Sequence, residues 1–413
     1  MRILLSAYAC EPHKGSEPGV GWGAALALAQ QHEVWVLTRA NNAAAISADP
    51  APAQTTATLH FAYFDLPKPL AFWKKGTRGV RLYYYLWQLC AGLSAWRLHQ
   101  RHQFHITHHV TFAKYWVPCA LAFLPAPFVW GPVGGGECPP PGLWPSGGVA
   151  GWMYECLRTA ARWLSERDPL VRLTARRAAL TIAANTDTAR RIGGIGARNI
   201  VVMSQVALSA AELQALKTPG PRPHAGVRLV SVAGLETCKG LALALQAYAL
   251  TDLPESEFWI VGSGPAGRTL ARLAETLHLG RSVKFLGQLA RTTVFERLKE
   301  ADIFVFPSLH DSGGYACAEA MAASLPVICL DLGGPGDLVT GECGFKIAAG
   351  DVPTTVRALA SAMQQLGTTE TLRRRMGSNA RSRVREQATW EAKAKTLSGL
   401  YERARRQAGR CPE

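Results

Sequence analysis

Residues 228–287 read R-L-V-S-V-A-G-L-E-T-C-K-G-L-A-L-A-L-Q-A-Y-A-L-T-D-L-P-E-S-E-F-W-I-V-G-S-G-P-A-G-R-T-L-A-R-L-A-E-T-L-H-L-G-R-S-V-K-F-L-G. Three short apolar runs, 228–233, 257–261 and 283–286, are separated by segments of helical period, 241–250 and 268–277. Strands that alternate with helices at this spacing predict a parallel sheet wound on both faces. The alternation continues with a helix at 294–300, a strand at 303–307, a helix at 316–323 and a strand at 327–330. Helical segments from about 355 to 408 end the chain.

A second series lies upstream. Residues 2–6 (R-I-L-L-S) and 33–38 read as strands around a helix at 23–31, preceded by a long loop, A-C-E-P-H-K-G-S-E-P-G-V-G-W. Further strands are expected at 59–63, 106–109, 128–130 and 180–183, and helices at 82–100, 155–178 and 186–192. The chain of 413 residues is too long for one ordinary core and suits two domains. The proline- and glycine-rich T-P-G-P-R-P-H-A-G reads as the junction. The expected division is 1–207, a linker over 208–226, a second domain over 227–390, and a last helix over 391–413 packing back toward the first domain. The fold class is α/β: two tandem doubly wound Rossmann-like domains, with ligands at the carboxyl ends of the strands.

Composition narrows the partners. Apolar residues make up 48% and charged residues 18%, which excludes general disorder. The net charge of +15 favours an anionic partner. No acid occurs between Asp65 and Glu137, an interval holding Lys68, Lys74, Lys75, Arg78, Arg81, Arg97, Arg101 and Lys114 among Phe72, Trp73, Tyr83, Tyr84, Tyr85, Trp87 and Trp96. Interleaved basic and aromatic residues suit an anionic membrane surface. The competing reading is a domain helix with aromatics in the core and basic residues in water. No nucleic-acid-binding signature accompanies the charge, so nucleic acid is not expected. The ten cysteines show no CxxC pair or metal-finger spacing, and the chain opens on a strand without a signal peptide. A cytoplasmic protein is expected, peripheral on the inner membrane face. Residues 116–133 are uncharged, but Pro118, Pro125, Pro127 and Pro132 break them.

I-V-G-S-G-P-A-G contains a literal GxGxxG at Gly262, Gly264 and Gly267. It is not in the first strand–helix unit of its domain, and no acid follows at the ribose-binding distance. A nicotinamide site is therefore not expected, and a Walker loop is absent. The informative segment is F-V-F-P-S-L-H-D-S-G-G-Y-A-C-A-E-A-M-A-A-S-L-P-V-I, residues 304–328. A strand ends at Pro307, a loop carries Asp311 and two glycines, and a helix follows with Glu319 one turn in. Backbone amides at a glycine-led helix start suit a diphosphate. The flanking carboxylates suit sugar hydroxyls.

This segment resembles the retaining glycosyltransferases of family 4, whose two Rossmann-like domains face a cleft (the GT-B architecture). Their signature is two acids separated by seven residues, the second opening E-A-M-A-x-G-x-P-V-I. Here the pattern is D-x7-E, with an H-D-S-G-G first-acid loop. The resemblance implies that Glu319 holds the donor ribose and Asp311 the donor sugar, with backbone at Gly313, Gly314, Tyr315 and Ala316 meeting sugar and phosphate. S-V-A-G-L-E-T-C-K-G is similar to the family's G-R-L-x-x-x-K-G diphosphate loop. Lys239 occupies the lysine position, but Gly234 stands where the family has arginine. V-K-F-L-G-Q-L resembles the nucleobase loop around Gly287 and Leu289, and G-S-E-P-G-V-G-W the phosphate loop with Gly19 and Gly21. Gly262 is placed beside the donor. His109 is a sugar-contact candidate, with a structural strand-end histidine as the equal alternative.

The resemblance implies a metal-independent retaining transferase. It would use a nucleoside diphosphate sugar as co-substrate, no other cofactor, and a glycan or lipid-linked glycan acceptor in cell-surface polysaccharide assembly. The alternatives are a non-catalytic relative in an assembly complex and a sugar-nucleotide epimerase on the same scaffold.

Overall fold

The computed structural model describes residues 1–50, 58–67, 69, 71–74, 76, 78–217 and 225–408. Lys68, Lys75 and most of the proline-rich junction, 218–224, lie outside the described residues. The chain forms two compact units. The first comprises 1–136, 160–207 and the segment from 390 on; the second comprises 137–159 and 208–389.

The first unit holds a seven-stranded sheet: β1 Arg2–Ser6, β2 Glu33–Thr38, β3 Leu59–Tyr63, β4 Ile106–His109, β5 Phe128–Val133, β6 Leu180–Ala183 and β7 Ile200–Val202. The order is β3-β2-β1-β4-β5-β6-β7, and every pairing is parallel. Strands β4, β5 and β6 are buried along their whole length, as expected when helices cover both faces. Each fully buried Val, Leu or Ile in such a strand contributes about 1.5–3 kcal/mol.

The second unit repeats the plan with β8 Arg228–Val232, β9 Glu257–Val261, β10 Val283–Gly287, β11 Ile303–Phe306, β12 Val327–Leu330 and β13 Gly344–Ile347. Its order is β10-β9-β8-β11-β12-β13, again all parallel. Both sheets reverse direction between their first strand and their fourth, the place where doubly wound sheets bind ligands. The α/β class is therefore as expected.

Several boundaries differ from the sequence expectations. The first helix runs Ser16–Ala29, so it begins seven residues before the expected start. Gly19 and Gly21 are therefore in a helix rather than a loop. A Cβ on either would lie 2.2 Å from a carbonyl oxygen, of Lys14 and Ala9 respectively, so these glycines let the preceding loop fold against the helix. The expected 155–178 helix is two helices, Gly148–Ser165 and Pro169–Arg177. Asp168 caps the second by accepting from Leu170 N, and Pro169 takes its first position.

The expected 1–207 domain does not hold 137–159, which group with the second unit. Leu143 sits fully buried in that unit's core, and Gly142 packs on Gly350 and Asp351. The expected 208–226 linker is structured at its start. Ser209 and Glu212 form a reciprocal capping box for the helix Ala210–Ala215, and Leu208 N donates to Ala388 O. The last helix, Trp390–Ala408, is part of the first unit. Tyr401 is fully buried there, its hydroxyl 2.7 Å from His108 Nδ1, and the Trp390 ring lies against Gly23. The described cysteines are free thiols. No helix among the described residues is long and apolar enough to cross a membrane.

Candidate active site

The charged groups expected to carry chemistry meet at the carboxyl ends of β8 and β11 in the second unit. Pro307 ends the β11 run, and the chain passes through Ser308–Asp311 to the helix Tyr315–Ala322. Gly314 caps that helix at φ +81°, a conformation that favours glycine. Asp311 Oδ1 accepts from the backbone amides of Gly314 (2.6 Å) and Gly313 (3.2 Å). Its Oδ2 lies 3.0 Å from Lys239 Nζ. Tyr315 and Ala316 open the helix just beyond.

Lys239 arrives from the loop after β8. Gly240 (φ +66°) caps the next helix, and a Cβ there would lie 2.0 Å from Pro307 O, so the lysine loop is pressed onto the end of β11. Burial disfavours the Lys239 ammonium, but the Asp311 carboxylate outweighs it and raises the lysine pKa. The site thus pairs a firmly protonated cation with a carboxylate fixed by two amides. Such a pair is able to face both a phosphate and a hydroxyl.

Glu319 lies one turn into the helix and is mostly buried. Arg291 Nη2 donates to its Oε1 at 2.7 Å and also meets Glu212 Oε1 at 2.6 Å. Burial pushes the Glu319 carboxyl above the usual carboxylate range; Arg291 pulls it back and the Glu212 charge adds to the rise.

The strand ends of β8, β9 and β10 adjoin through their glycines. Gly262 N donates to Gly287 O at 2.8 Å, and a Cβ on Gly262 (φ +139°) would lie 1.9 Å from Ala233 O. The GxGxxG glycine therefore serves close packing of loops. Gly287 (φ +69°) is exposed with open space around it, and Leu289 is half-buried two residues before Arg291. Gly234 is exposed, and a Cβ there would lie 3.3 Å from the Glu236 carboxylate. An acid thus borders the place where the similar loops carry arginine.

Residues 137–159 add contacts that the sequence did not announce. Glu155 Oε1 lies 2.6 Å from His310 Nε2, with both side chains almost wholly buried. Ser312 Oγ donates to Glu137 Oε1 at 2.9 Å, and Arg158 Nη2 lies 3.5 Å from that same oxygen. The residues on either side of Asp311 are therefore each held by a buried glutamate. Beside them lies a cavity of about 450 Å³, lined among others by Trp144, Tyr154, Glu155, Glu236, Cys238 and Leu309.

His109, Gly19 and Gly21 lie in the first unit. His109 is fully buried in the first unit, its Nε2 3.1 Å from both Tyr84 Oη and Gln88 Nε2. Burial, with His108 adding, lowers its pKa to about 3, so the ring is neutral. Arg291, Glu212, His310, Glu155 and Glu137 were missed. Of these, only Glu212 had a local signal, the S-x-x-E capping box. No group of three His, Cys, Asp or Glu suited to a metal occurs among the described residues.

Residues 216–383 match the family model for glycosyl transferases group 1. The chain is 26% identical over 265 residues to the glycogen synthase of Mycobacterium tuberculosis, covering 63% of this chain and 60% of that one. It is 31% identical over 156 residues to the GDP-mannose-dependent monoacylated alpha-(1-6)-phosphatidylinositol monomannoside mannosyltransferase of Corynebacterium glutamicum, covering 36% and 39%. The chain thus spans 60% or less of the length of these relatives. Among solved structures it is similar to Anabaena Alr3699/HepE in complex with UDP-glucose, with a TM-score of 0.59 at 17% identity over 97% of this chain and all of that one. The chain has the two-domain α/β fold of GT-B glycosyltransferases, and its C-terminal half matches the glycosyl transferases group 1 domain.

Proposed function

We propose that this protein is a retaining, metal-independent glycosyltransferase of family 4, in the subset with an H-D-S-G-G first-acid loop. It moves a sugar from a nucleoside diphosphate sugar to a glycan acceptor. The observation that carries the reading is the Lys239–Asp311 pair, 3.0 Å apart at a glycine-led helix start, with Glu319 one turn on. In this reading Lys239 meets the departing diphosphate, Asp311 the transferred sugar, and Glu319 the ribose hydroxyls, with Arg291 holding its carboxylate. Gly313, Gly314, Tyr315 and Ala316 supply backbone to sugar and phosphate, Gly262 lies beside the donor, and Gly287 and Leu289 border the nucleobase. The bond from the anomeric carbon to the diphosphate breaks as the acceptor oxygen bonds to that carbon on the same face. The acceptor's proton passes to a phosphate oxygen of the leaving group. A nucleotide sugar donor is supported by the names of the mannosyltransferase relative and the UDP-glucose complex.

The acceptor is a lipid-linked glycan at an anionic membrane surface on the cytoplasmic side, in cell-surface polysaccharide assembly. The helix Val80–His102 supports this by exposing Leu82, Leu93 and Trp96 among Arg81, Arg97 and Arg101. One observation favours a second, non-catalytic reading: Gly234, bordered by Glu236, where arginine stands in similar loops.

Thermal stability against UDP, GDP, ADP, CMP and their sugar conjugates tests the proposal. A rise with one base, lost in Glu319→Ala, is expected. No rise with any of them would leave the non-catalytic reading in its place.

A further inference from the structure

The helix Gly148–Ser165 is inside out. Its charged side chains point inward: Glu155 onto His310, Arg158 against Glu137, and Arg162, which is 2% exposed. Its outward stripe is Val149, Trp152, Met153, Leu157, Trp163 and Leu164, each at least half exposed. These positions fall at steps of three, four and seven residues, so they lie on one side of the helix. A helix bathed in water shows the reverse polarity. Scattered exposed apolar residues are normal, but a contiguous face of six large ones marks an interaction surface.

Charge says what kind of surface covers it. Residues 66–165 contain two acids, Glu137 and Glu155, and both are buried and held by partners. Every exposed ionised side chain described in that interval is therefore cationic: Arg78, Arg81, Arg97, Arg101 and Lys114. Just past the helix, the exposed Arg167 guanidinium stacks 3.6 Å over Trp163. Tryptophans at the edge of an apolar stripe, with arginine beside them, are the anchors of helices that lie in a membrane interface. The surface that fits this helix is apolar along the stripe and anionic beside Arg167, and an anionic bilayer offers both.

We propose that the outer face of Gly148–Ser165 inserts flat into the interfacial layer of an anionic phospholipid bilayer. This deepens the membrane part of the reading above by naming the element that inserts, and it holds whether or not the protein transfers a sugar. Its inner face meanwhile keeps Glu155 on the loop of Asp311.

Flotation with phosphatidylglycerol vesicles, against neutral phosphatidylcholine vesicles, tests it. The wild-type protein is expected to float with anionic vesicles and to retain part of its binding at high salt, because apolar insertion outlasts screening. The variant M153Q/L157Q/L164Q is expected to lose roughly tenfold in vesicle binding. Its melting temperature and nucleotide-induced stabilisation should be unchanged, since all three side chains are exposed. A wild-type protein that does not float, or a variant that floats equally well, would overturn the proposal. So would a wild-type dimer that this variant converts to monomer, because a second copy would then cover the face. Loss of flotation in the variant, with no nucleotide stabilising either protein, would sink the transferase reading and leave the docking helix standing.

Discussion

The two units share one wiring plan and use their polar residues in opposite ways. At the strand ends of the first unit, His108, His109, Thr107 and Thr181 are buried, and the two histidines are held by Tyr401, Tyr84 and Gln88. At the strand ends of the second, Lys239, Asp311, Glu319 and Arg291 form partly exposed ion pairs around a helix start. The same topology thus buries uncharged polar side chains in one half and gathers charged ones around a helix start in the other. A histidine at a strand end is not a site in itself.

Mutations should separate the halves. Lys239→Ala and Glu319→Ala are expected to lower kcat/KM by about tenfold to a hundredfold, the scale for losing a charge-assisted contact, with little change in melting temperature. Wild-type rates in both would dissolve the contrast. Glu155→Gln and His310→Asn are expected to lower kcat by roughly tenfold while nucleotide binding holds, because they loosen the seat of Asp311 rather than a ligand contact. Equal losses in kcat and in nucleotide affinity would make that pair part of the ligand site instead. His109→Ala should do the reverse, costing about 1–3 kcal/mol of stability while activity per folded molecule is kept. The mildest change should be Gly234→Arg, with a few-fold gain in rate as the added cation joins Lys239 beside Glu236.

Acid sharpens the comparison. In the proposed role Glu319 accepts from ribose hydroxyls best as a carboxylate, and burial holds its carboxyl above the ordinary range. Donor affinity should therefore fall as pH drops, starting at a higher pH than a free glutamate would set, and Glu319→Gln should flatten the profile. In the first unit, burial lowers Lys393 to about 8. The unfolded lysine binds its proton more tightly, so this group lends stability as pH rises from about 8 toward the free-lysine value. Lys393→Met should stabilise the protein at neutral pH by about 1–3 kcal/mol, less the bond to Ser204 O that it forfeits.

Much of this was legible in the residues. Strand and helix alternation gave the α/β class, and D-x7-E with the lysine loop named Asp311, Glu319 and Lys239, which chain order and period place at strand ends. Short edge strands such as β7 and β13 escaped because three or four residues carry little pattern. The start of the first helix escaped because its glycines read as a loop, whereas they permit backbone contact. Arg291 and the pairs Glu155–His310 and Glu137–Ser312 escaped for another reason. Their partners are distant in sequence, and nothing local in either residue states the pairing.

The chain changes units four times, at 136/137, 159/160, 207/208 and 389/390. The second half is therefore not a detachable module. On a ribosome, residues 137–159 emerge long before the sheet that receives Leu143 and before His310 and Ser312 exist to meet their glutamates. That segment must wait, with Leu143 unburied, until nearly the whole chain has been made. A fragment cut at 208–389 would carry the whole stretch that matches the glycosyl transferases group 1 model, residues 216–383, and still lack the two glutamates that hold His310 and Ser312 beside Asp311.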